Sequence, residues 1–249
     1  MSAARCHAVL PAAGIGARMG GDLPKQYQVL AGATMLEHSL GALLACPDIT
    51  IVAVALHPDD CWAKSLDLLR DPRVRRGVGG AQRSDSVLAG LAALAGPASP
   101  GDWVLVHDAA RPCVQPADIA RLIATVRSSG SGGLLAEPIV DTVKEAREDG
   151  TVVGTLDRSR LWRAQTPQMF QLGALRDALL AASSKGVAVT DEASAMEAAG
   201  HPVQLVPGSA GNLKVTVSAD LDLAAWYLGR SAACEGCLLY TSDAADDPT

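Results

Sequence analysis

The strongest constraint on the fold is an alternation of short apolar runs with longer amphipathic segments over the first 140 residues. The runs at 8–11, 50–56 and 103–107 are almost free of polar residues and are bounded by turn formers. Strands of this composition are buried on both faces, which is typical of a parallel sheet. The chain therefore favours an α/β architecture.

Four further segments place apolar residues at spacings of three and four. This period predicts amphipathic helices over 34–45, 59–69, 83–94 and 116–127. Pro116 suits the first turn of the last of these, because a first-turn residue needs no helical partner for its N–H group. The βαβα succession predicts a doubly wound, mostly parallel sheet flanked by helices.

The pattern changes after residue 140. Residues 141–156 contain two strand-like segments joined by an Asp-Gly pair, which is a strong hairpin signal. The hairpin is too short and too polar to bury Val143, Val152 and Leu156 by itself. We therefore predict a projecting dimerisation arm over about 141–158, covered by a second copy of the chain.

The rest of the chain is predicted to belong to the same domain. Helices are predicted at 172–182, 191–199 and 219–228, with a short strand at 203–206. Residues 1–236 are interpreted as a single domain. Residues 237–249 continue none of its patterns, so they are interpreted as a non-native tail and left out of the fold prediction.

Charge and hydropathy restrict the kinds of partner that the protein can bind. The 27 acidic and 21 basic residues give a net charge of −6, which argues against binding nucleic acid or an anionic membrane surface. No apolar run approaches the roughly 20 residues needed to span a bilayer. The N-terminus lacks the pattern of a secretory signal. A cytoplasmic protein with small-molecule partners is expected.

The first strand runs into a segment, 11–20, that has the character of a phosphate cradle. Gly14 and Gly16 let the backbone turn tightly and bring N–H groups close to an anion. Arg18 and Lys25 add two positive charges where α/β proteins bind ligands, at the carboxyl end of a strand. A plain glycine turn is the alternative, and it leaves both charges unexplained.

Two better-known phosphate motifs do not match this segment. A dinucleotide fingerprint needs glycine at position 19, where the chain has Met19. A Walker P-loop needs a lysine followed by serine or threonine after its last glycine, and the chain contains no such segment. The segment therefore indicates a different nucleotide or phosphate binder.

Two later segments lie at the ends of predicted strands. Residues 79–86 combine a glycine pair with a helix start, so their backbone and Ser86 could bind a base or ribose; simple helix capping is the alternative. In 107–112, Asp108 could bind a metal or a substrate hydroxyl and Arg111 a phosphate, unless the two form a buried ion pair.

One more charge stands out near the end of the predicted domain. Lys214 interrupts an otherwise apolar run. Because burying an unpaired ammonium group is costly, Lys214 must face an anion or solvent. It is a further candidate for anion binding.

Together these motifs resemble the 2-C-methyl-D-erythritol 4-phosphate cytidylyltransferases of the non-mevalonate isoprenoid pathway. The likeness runs from about Arg5 to Arg230. Its first motif is shared with many sugar nucleotidyltransferases, and its specificity comes from several later motifs in the same order. The matching segments are 11–19 with 24–27, 106–112, 141–142, 166–168, 190–194 and 212–216.

The resemblance implies a Rossmann-like nucleotidyltransferase fold, a homodimer joined by the arm, and Mg²⁺ or another divalent cation. It implies transfer of CMP from CTP to 2-C-methyl-D-erythritol 4-phosphate, with release of pyrophosphate. The positions matching catalytic residues are Arg18, Lys25, Arg158 and Lys214. Those matching the nucleotide pocket are Ala12, Ala13, Gly14, Gly16, Gly80 and Ser86. Those matching substrate contacts are Asp108, Ala109, Arg111, Thr142 and Thr166.

The resemblance also assigns Arg158 to the partner's active site and makes Asp108 the candidate metal ligand, with CTP phosphates supplying most of the coordination. One departure is Ala81, where some members carry an acid near the ribose or base. Three alternatives stay open at this point. They are a cytidylyltransferase acting on ribitol phosphate, a nicotinamide-dependent oxidoreductase, against which Met19 counts, and a non-catalytic nucleotide-binding regulator.

Overall fold

A computed structural model describes residues 4–14 and 23–238, with side chains described up to Arg230. The strands are β1 Cys6–Ala12, β2 Val29–Leu30, β3 Ala33–Thr34, β4 Ile49–Leu56, β5 Val74–Val78, β6 Trp103–Val106, β7 Gly132–Pro138, β8 Val143–Ala146, β9 Val152–Leu156, β10 Trp162–Gln171 and β11 Val203–Pro207. The helices are α1 Met35–Leu44, α2 Arg83–Ala93, α3 Pro116–Ser129, α4 Leu172–Ser184, α5 Glu192–Ala198 and α6 Ala219–Leu238.

Seven strands form one sheet in the order β11-β7-β10-β6-β1-β4-β5. Six run parallel to one another, and β10 lies antiparallel to both of its neighbours. The prediction of a mostly parallel sheet is confirmed. The order places β1 in the interior of the sheet, where its carboxyl end is flanked by those of β4 and β6.

Helices cover both faces of the sheet. The side chains of β1 alternate between two cores, so that Ala8 and Leu10 join one and Val9 joins the other. All three are fully buried, which explains the unbroken apolar run in the sequence. On the second face α2 packs closely on β1, because a Cβ at Gly90 would lie 2.3 Å from Val9 Cγ1.

The predicted helix at 59–69 is wrong. The chain forms two short 3₁₀ turns there, Ala63–Ser65 and Asp67–Arg70, separated by the extended residue Leu66. Ala63, Leu66 and Leu69 are buried at intervals of three, which matches the three-residue period of a 3₁₀ helix better than the 3.6-residue period of an α-helix. The spacing was therefore assigned to the wrong helix type.

One strand after residue 140, β10, was not predicted from the sequence, and it is important for the site. β10 enters the sheet between β6 and β7 although its centre is polar, with Gln165, Thr166 and Gln168 all buried. Gln168 pairs with Val106 at the end of β6. This register places the polar centre of β10 beside the loop that follows β6.

The predicted hairpin is confirmed as β8 and β9, which pair antiparallel from Val143 opposite Leu156. Gly150 adopts the left-handed conformation that the turn requires, with φ of 81°. At the other end of the chain, α6 continues to Leu238, so the predicted domain boundary at 236 lies within a helix. Among the described residues, no helix combines the length and apolar character needed to cross a membrane.

Candidate active site

A cleft of about 970 Å³ opens at the carboxyl edge of β1, β4, β5 and β6. Its walls come from the loops that follow these strands, at 12–14, 57–58, 79–83 and 108–110, and from Lys214 and Thr216. Ligands of open α/β sheets bind at this edge, because the loops that leave parallel strands converge there.

The predicted nucleotide-pocket residues that the structure describes, which are all of them except Gly16, line the cleft. Ala12 ends β1 and Ala13 and Gly14 follow it, while Gly80 and Ser86 line the cleft from the loop before α2 and from its first turn. The two sides approach so closely that a Cβ at Gly79 would lie 2.4 Å from Ala13 Cβ. Gly79 therefore allows the loop to pack directly against the end of β1, which a larger residue would prevent.

The loop before α2 is held in shape by its own hydrogen bonds. The Gly80 N–H group donates to Ser86 Oγ at 3.2 Å, and the Ser86 hydroxyl lies 3.3 Å from the Gln82 carbonyl. The Gln82 N–H group donates to the Asp85 carboxylate at 3.0 Å. Ser86 thus fixes the loop from below while lining the cleft.

Lys25 lies on a 3₁₀ turn that is fastened to the end of β1. The adjacent Gln26 side chain is buried and donates to the Ala12 carbonyl at 2.9 Å. Lys25 Nζ donates to the Val215 carbonyl at 2.6 Å. Two lysines that are 189 positions apart in sequence, Lys25 and Lys214, therefore line the same cleft.

Asp108 is the acidic side chain among the described residues that line the cleft. Its Oδ1 accepts from Arg83 Nε at 2.8 Å, and its Oδ2 lies 2.7 Å from Lys214 Nζ. Burial disfavours the charged carboxylate, but the Arg83 and Lys214 charges outweigh that effect and hold the pKa of Asp108 below its usual range. Asp108 is therefore ionised and shared between two cations.

A hydrogen-bond relay orients the backbone of Asp108. His107 Nε2 lies 3.1 Å from the Arg111 carbonyl, which can only accept, so this nitrogen carries the proton. His107 Nδ1 then accepts from the Thr166 hydroxyl at 3.0 Å. Thr166 Oγ1 in turn accepts from the Asp108 N–H group at 3.0 Å. The Thr166 hydroxyl is thus engaged as donor and as acceptor.

His107 is neutral in this relay. Its side chain is fully buried, and burial lowers its pKa to about 4 against the opposing effect of the Asp108 charge. Behind the relay, Asn212 is also fully buried and donates to the Thr166 carbonyl at 2.8 Å. We call the buried residues His107, Asp108, Thr166 and Glu192 the polar floor of the cleft.

The structure places Arg111 and Ala109, two of the predicted substrate contacts, differently. Arg111 donates to the carbonyls of Asn212 at 2.7 Å and Ala164 at 3.2 Å, so its guanidinium ties two backbone segments together. Ala109 lines the cleft beside Asp108. Arg111 is not among the lining residues that the structure describes.

The arm, residues 141–158, carries Thr142 and Arg158 in exposed positions. Arg158 donates to the carbonyl of Val140, and neither residue lines the described part of the cleft in its own chain. Gly16, Arg18 and Met19 lie outside the described residues, so the predictions that rest on them are not tested.

Sequence reasoning missed two charged residues at the site, Arg83 and Glu192. Arg83 lines the cleft, and its guanidinium binds Glu192 through two hydrogen bonds of 2.6 and 3.0 Å. Both lie inside motif segments, 79–86 and 190–194, in which sequence reasoning assigned neither residue a role of its own. The missing information was burial, because Glu192 is only 1% exposed.

Among the described residues that line the cleft, Asp108 carries the one carboxylate that could bind a divalent cation. No cluster of three His, Cys, Asp or Glu side chains occurs within the part of the chain that the structure describes. Mg²⁺ is commonly held by one or two carboxylates together with substrate phosphates. Asp108 fits that role as a single protein ligand beside a triphosphate.

Comparison with known proteins gives a consistent result. The family model for 2-C-methyl-D-erythritol 4-phosphate cytidylyltransferase matches residues 6–230. A curated relative of that name from Ectopseudomonas mendocina (strain ymp) is 52% identical over 214 residues, covering 86% of this chain and 91% of the relative. Another from Serratia proteamaculans (strain 568) is 52% identical over 222 residues, covering 89% and 93%.

Solved structures show the same relationship. A crystal structure of 4-diphosphocytidyl-2C-methyl-D-erythritol synthase matches with a TM-score of 0.78 and 38% identity, covering 90% of this chain and 99% of that one. The Francisella tularensis 2-C-methyl-D-erythritol 4-phosphate cytidylyltransferase matches with a TM-score of 0.77 and 37% identity, at the same coverage. These matches agree with the single α/β domain described above.

Proposed function

Because the chain belongs to the 2-C-methyl-D-erythritol 4-phosphate cytidylyltransferase family, we propose that its cleft transfers CMP from CTP to 2-C-methyl-D-erythritol 4-phosphate. An oxygen of the substrate's phosphate attacks the α-phosphorus of CTP. The bond from that phosphorus to the bridging oxygen of the β-phosphate breaks, and pyrophosphate leaves with the bonding electrons. The product is 4-diphosphocytidyl-2-C-methyl-D-erythritol.

The observation that carries this proposal is the convergence of Lys25 and Lys214 on one cleft of an acidic protein. The attacking group is already an anionic phosphate, so the reaction needs no general base. Its main barrier is the approach of two anions, and positioned positive charges lower that barrier.

We assign Lys25 to the charge that develops on the transferred phosphoryl group, and Lys214 to the phosphate of the second substrate. Lys214 suits this role because its ammonium group is held against Asp108 while its side chain stays 43% exposed. A phosphate that enters the cleft can reach it without displacing buried structure. Arg18 would add to the charge on the CTP phosphates.

We also propose that Mg²⁺, or another divalent cation, takes part. Asp108 would supply a carboxylate oxygen to it, and the CTP phosphates would supply most of the remaining ligands. When bound, the cation would neutralise part of the charge on the triphosphate.

We propose that the part of the cleft bordered by the loop at 79–80 and the end of β1 holds the cytosine base. Its walls at Ala13, Gly79 and Gly80 are backbone and small side chains, so donors and acceptors on the main chain could read the cytosine edge. A purine presents a different set of donors and acceptors, so we expect these main-chain groups to favour cytosine.

Pyrophosphate release tests this function directly. The purified protein is assayed with CTP, UTP and ATP, each with and without 2-C-methyl-D-erythritol 4-phosphate, and with ribitol phosphate as the competing acceptor. We expect release only with CTP and methylerythritol phosphate together. Equal turnover with ATP would refute the proposed recognition of cytosine, and a preference for ribitol phosphate would reassign the substrate.

We further propose that the active enzyme is a homodimer joined by the arm. The surface of the arm and its base carries large apolar side chains, with Val152 54%, Val153 50% and Leu156 41% exposed. A second subunit would cover them. Thr142 and Arg158 are exposed on this arm, and a two-fold dimer could bring them to the partner's cleft.

Both proposed substrates are phosphorylated and strongly charged, and such compounds do not cross membranes unaided. We therefore propose the cytoplasm as the place of action, with no nucleic-acid or membrane partner.

A further inference from the structure

The ion pair between Glu192 and Arg83 has no part in the function proposed above. Glu192 is the first residue of α5, and its carboxylate is almost completely removed from solvent. Burying a carboxylate is unfavourable unless it is paired with good geometry. Two charge-assisted hydrogen bonds to Arg83, of 2.6 and 3.0 Å, provide that geometry.

The pair continues into the cleft through the same guanidinium. Arg83 uses both terminal nitrogens on Glu192 and its Nε on Asp108 at 2.8 Å. Because the guanidinium is planar and rigid, fixing one edge on Glu192 fixes the direction of Nε. The opposite oxygen of Asp108 is 2.7 Å from Lys214 Nζ. Charges therefore alternate along Glu192, Arg83, Asp108 and Lys214.

Glu192 also sets how the charge of Asp108 is divided. Arg83 is neutralised mainly by Glu192, which leaves the Asp108 carboxylate available to hold Lys214. If Glu192 lost its charge, Arg83 would depend on Asp108 alone, and the attraction that holds Lys214 would weaken. The flexible side chain of Lys214 would then sample other directions.

We propose that Glu192 and Arg83 are positioning residues that set the resting place of the Lys214 ammonium group through Asp108. The inference rests on the proposed function, in which Lys214 receives the phosphate of the second substrate. Neither Glu192 nor Arg83 needs to touch the reacting atoms for this role.

A double-mutant cycle tests the pathway. We expect Glu192→Gln, which keeps the shape but removes the charge, to lower kcat/KM for methylerythritol phosphate by about tenfold or more. KM for CTP should change little. In a Lys214→Ala background the same substitution should have almost no further effect, because the group it positions is gone. Losses that multiply in the double variant would overturn the proposal.

Asp102→Asn is the matched control. Asp102 is a similarly buried carboxylate at the other end of β6, where it accepts from the N–H groups of Arg5 and Ser99 at 2.9 Å. Its loss should lower thermal stability and leave kcat/KM within about twofold of the wild type, because it lies away from the cleft. An equal catalytic loss in Asp102→Asn and Glu192→Gln would show that destabilisation alone is responsible.

A second readout does not depend on turnover. The rate at which an amine-reactive reagent modifies Lys214 is followed by mass spectrometry in the wild type and in Glu192→Gln. We expect faster modification in Glu192→Gln and no change in Asp102→Asn. An unchanged rate would overturn the positioning role even in an active enzyme. Absence of turnover by the wild type would refute the proposed function and leave this measurement interpretable.

If Glu192→Gln does not fold, Arg83→Lys replaces it in both experiments. The lysine keeps the positive charge beside Glu192 but cannot contact two carboxylates at once. The same faster modification of Lys214 is expected, and wild-type behaviour of Arg83→Lys would refute the role of the guanidinium.

Discussion

The polar floor and the arm hold residues from the same set of motifs in opposite environments. On the floor, His107, Asp108 and Thr166 are almost inaccessible to solvent and are connected by hydrogen bonds from several segments. On the arm, Thr142 and Arg158 are exposed. Arg158 donates to the nearby carbonyl of Val140.

This difference in burial determines how each region can contribute to a site. Floor residues have their directions set before any ligand arrives, because moving one would leave a buried polar group without a partner. The arm has an exposed apolar surface that its own chain does not cover. The floor can therefore act within one chain, whereas the arm would contribute to a site only in the proposed dimer.

The largest effect is expected inside the cleft. Lys25→Ala should lower kcat by about 10²–10³-fold, because a charge aimed at the transferred group acts where negative charge develops. KM for methylerythritol phosphate should change much less. Steady-state kinetics measure both, with Lys185→Ala on the exposed end of α4 as the control. Retention of more than half of the wild-type turnover would show that Lys25 is misassigned.

The next prediction tests whether the arm works across two chains. Inactive Lys25→Ala and Arg158→Ala chains are mixed in equal amounts and allowed to exchange subunits. About a quarter of the normal activity should return, because half of the dimers are mixed and each mixed dimer regains one intact site of two.

The control for this experiment is Arg160→Ala on the same exposed turn as Arg158, which should stay active by itself. Failure to recover activity, with exchange demonstrated, would mean that Arg158 acts within its own chain. The contrast between floor and arm would then be wrong.

His107, on the floor, should also make the stability of the fold depend on pH. The pKa of His107 is lowered to about 4 in the fold, whereas an unfolded chain takes up that proton near pH 6.5. Below pH 6.5 the unfolded state therefore binds more protons, and stability falls as the pH falls. Between pH 7 and 5 the loss should be roughly 2 kcal/mol.

Urea denaturation of the wild type and His107→Gln at both pH values measures this contribution. His107→Gln should be less stable at pH 7 and less sensitive to acid. Burial raises the pKa of Glu192 and acts in the opposite sense, but both proteins share that effect. His201→Gln, at an exposed position, should retain the wild-type slope, and an equal slope in His107→Gln would contradict the assignment.

The smallest effect on chain stability is expected on the arm. Val153→Lys should change the free energy of unfolding of the chain by less than about 0.5 kcal/mol, because Val153 is half exposed. It should nevertheless shift the oligomer towards monomer, since a charge would enter the proposed interface. Sedimentation velocity measures the shift.

Val187→Lys is the matched control, with a valine that is 48% exposed outside the arm. It should leave the oligomeric state unchanged. If both variants sediment alike, the arm is not the dimer contact.

The sequence predicted the elements whose patterns are local. β1, β4 and β6 were found because strands buried on both faces must be apolar throughout, and α1, α2 and α3 because one face of each is buried. β10 was missed because its centre is polar, and most of the hydrogen bonds of its buried side chains are made with residues far away in sequence. The helix predicted at 59–69 failed because a three-residue spacing also fits two 3₁₀ turns.

The candidate site divides in the same way. By itself the sequence determined the α/β class, the hairpin and the presence of Lys25, Asp108 and Lys214, because each stands out from its immediate neighbours. Only the tertiary structure decided that Arg83 and Glu192 lie beneath them, and that Thr166 serves Asp108. Those relationships join segments up to 109 residues apart. They follow from burial, because a polar group that is buried requires a hydrogen-bond partner. No local sequence pattern records which polar groups will be buried.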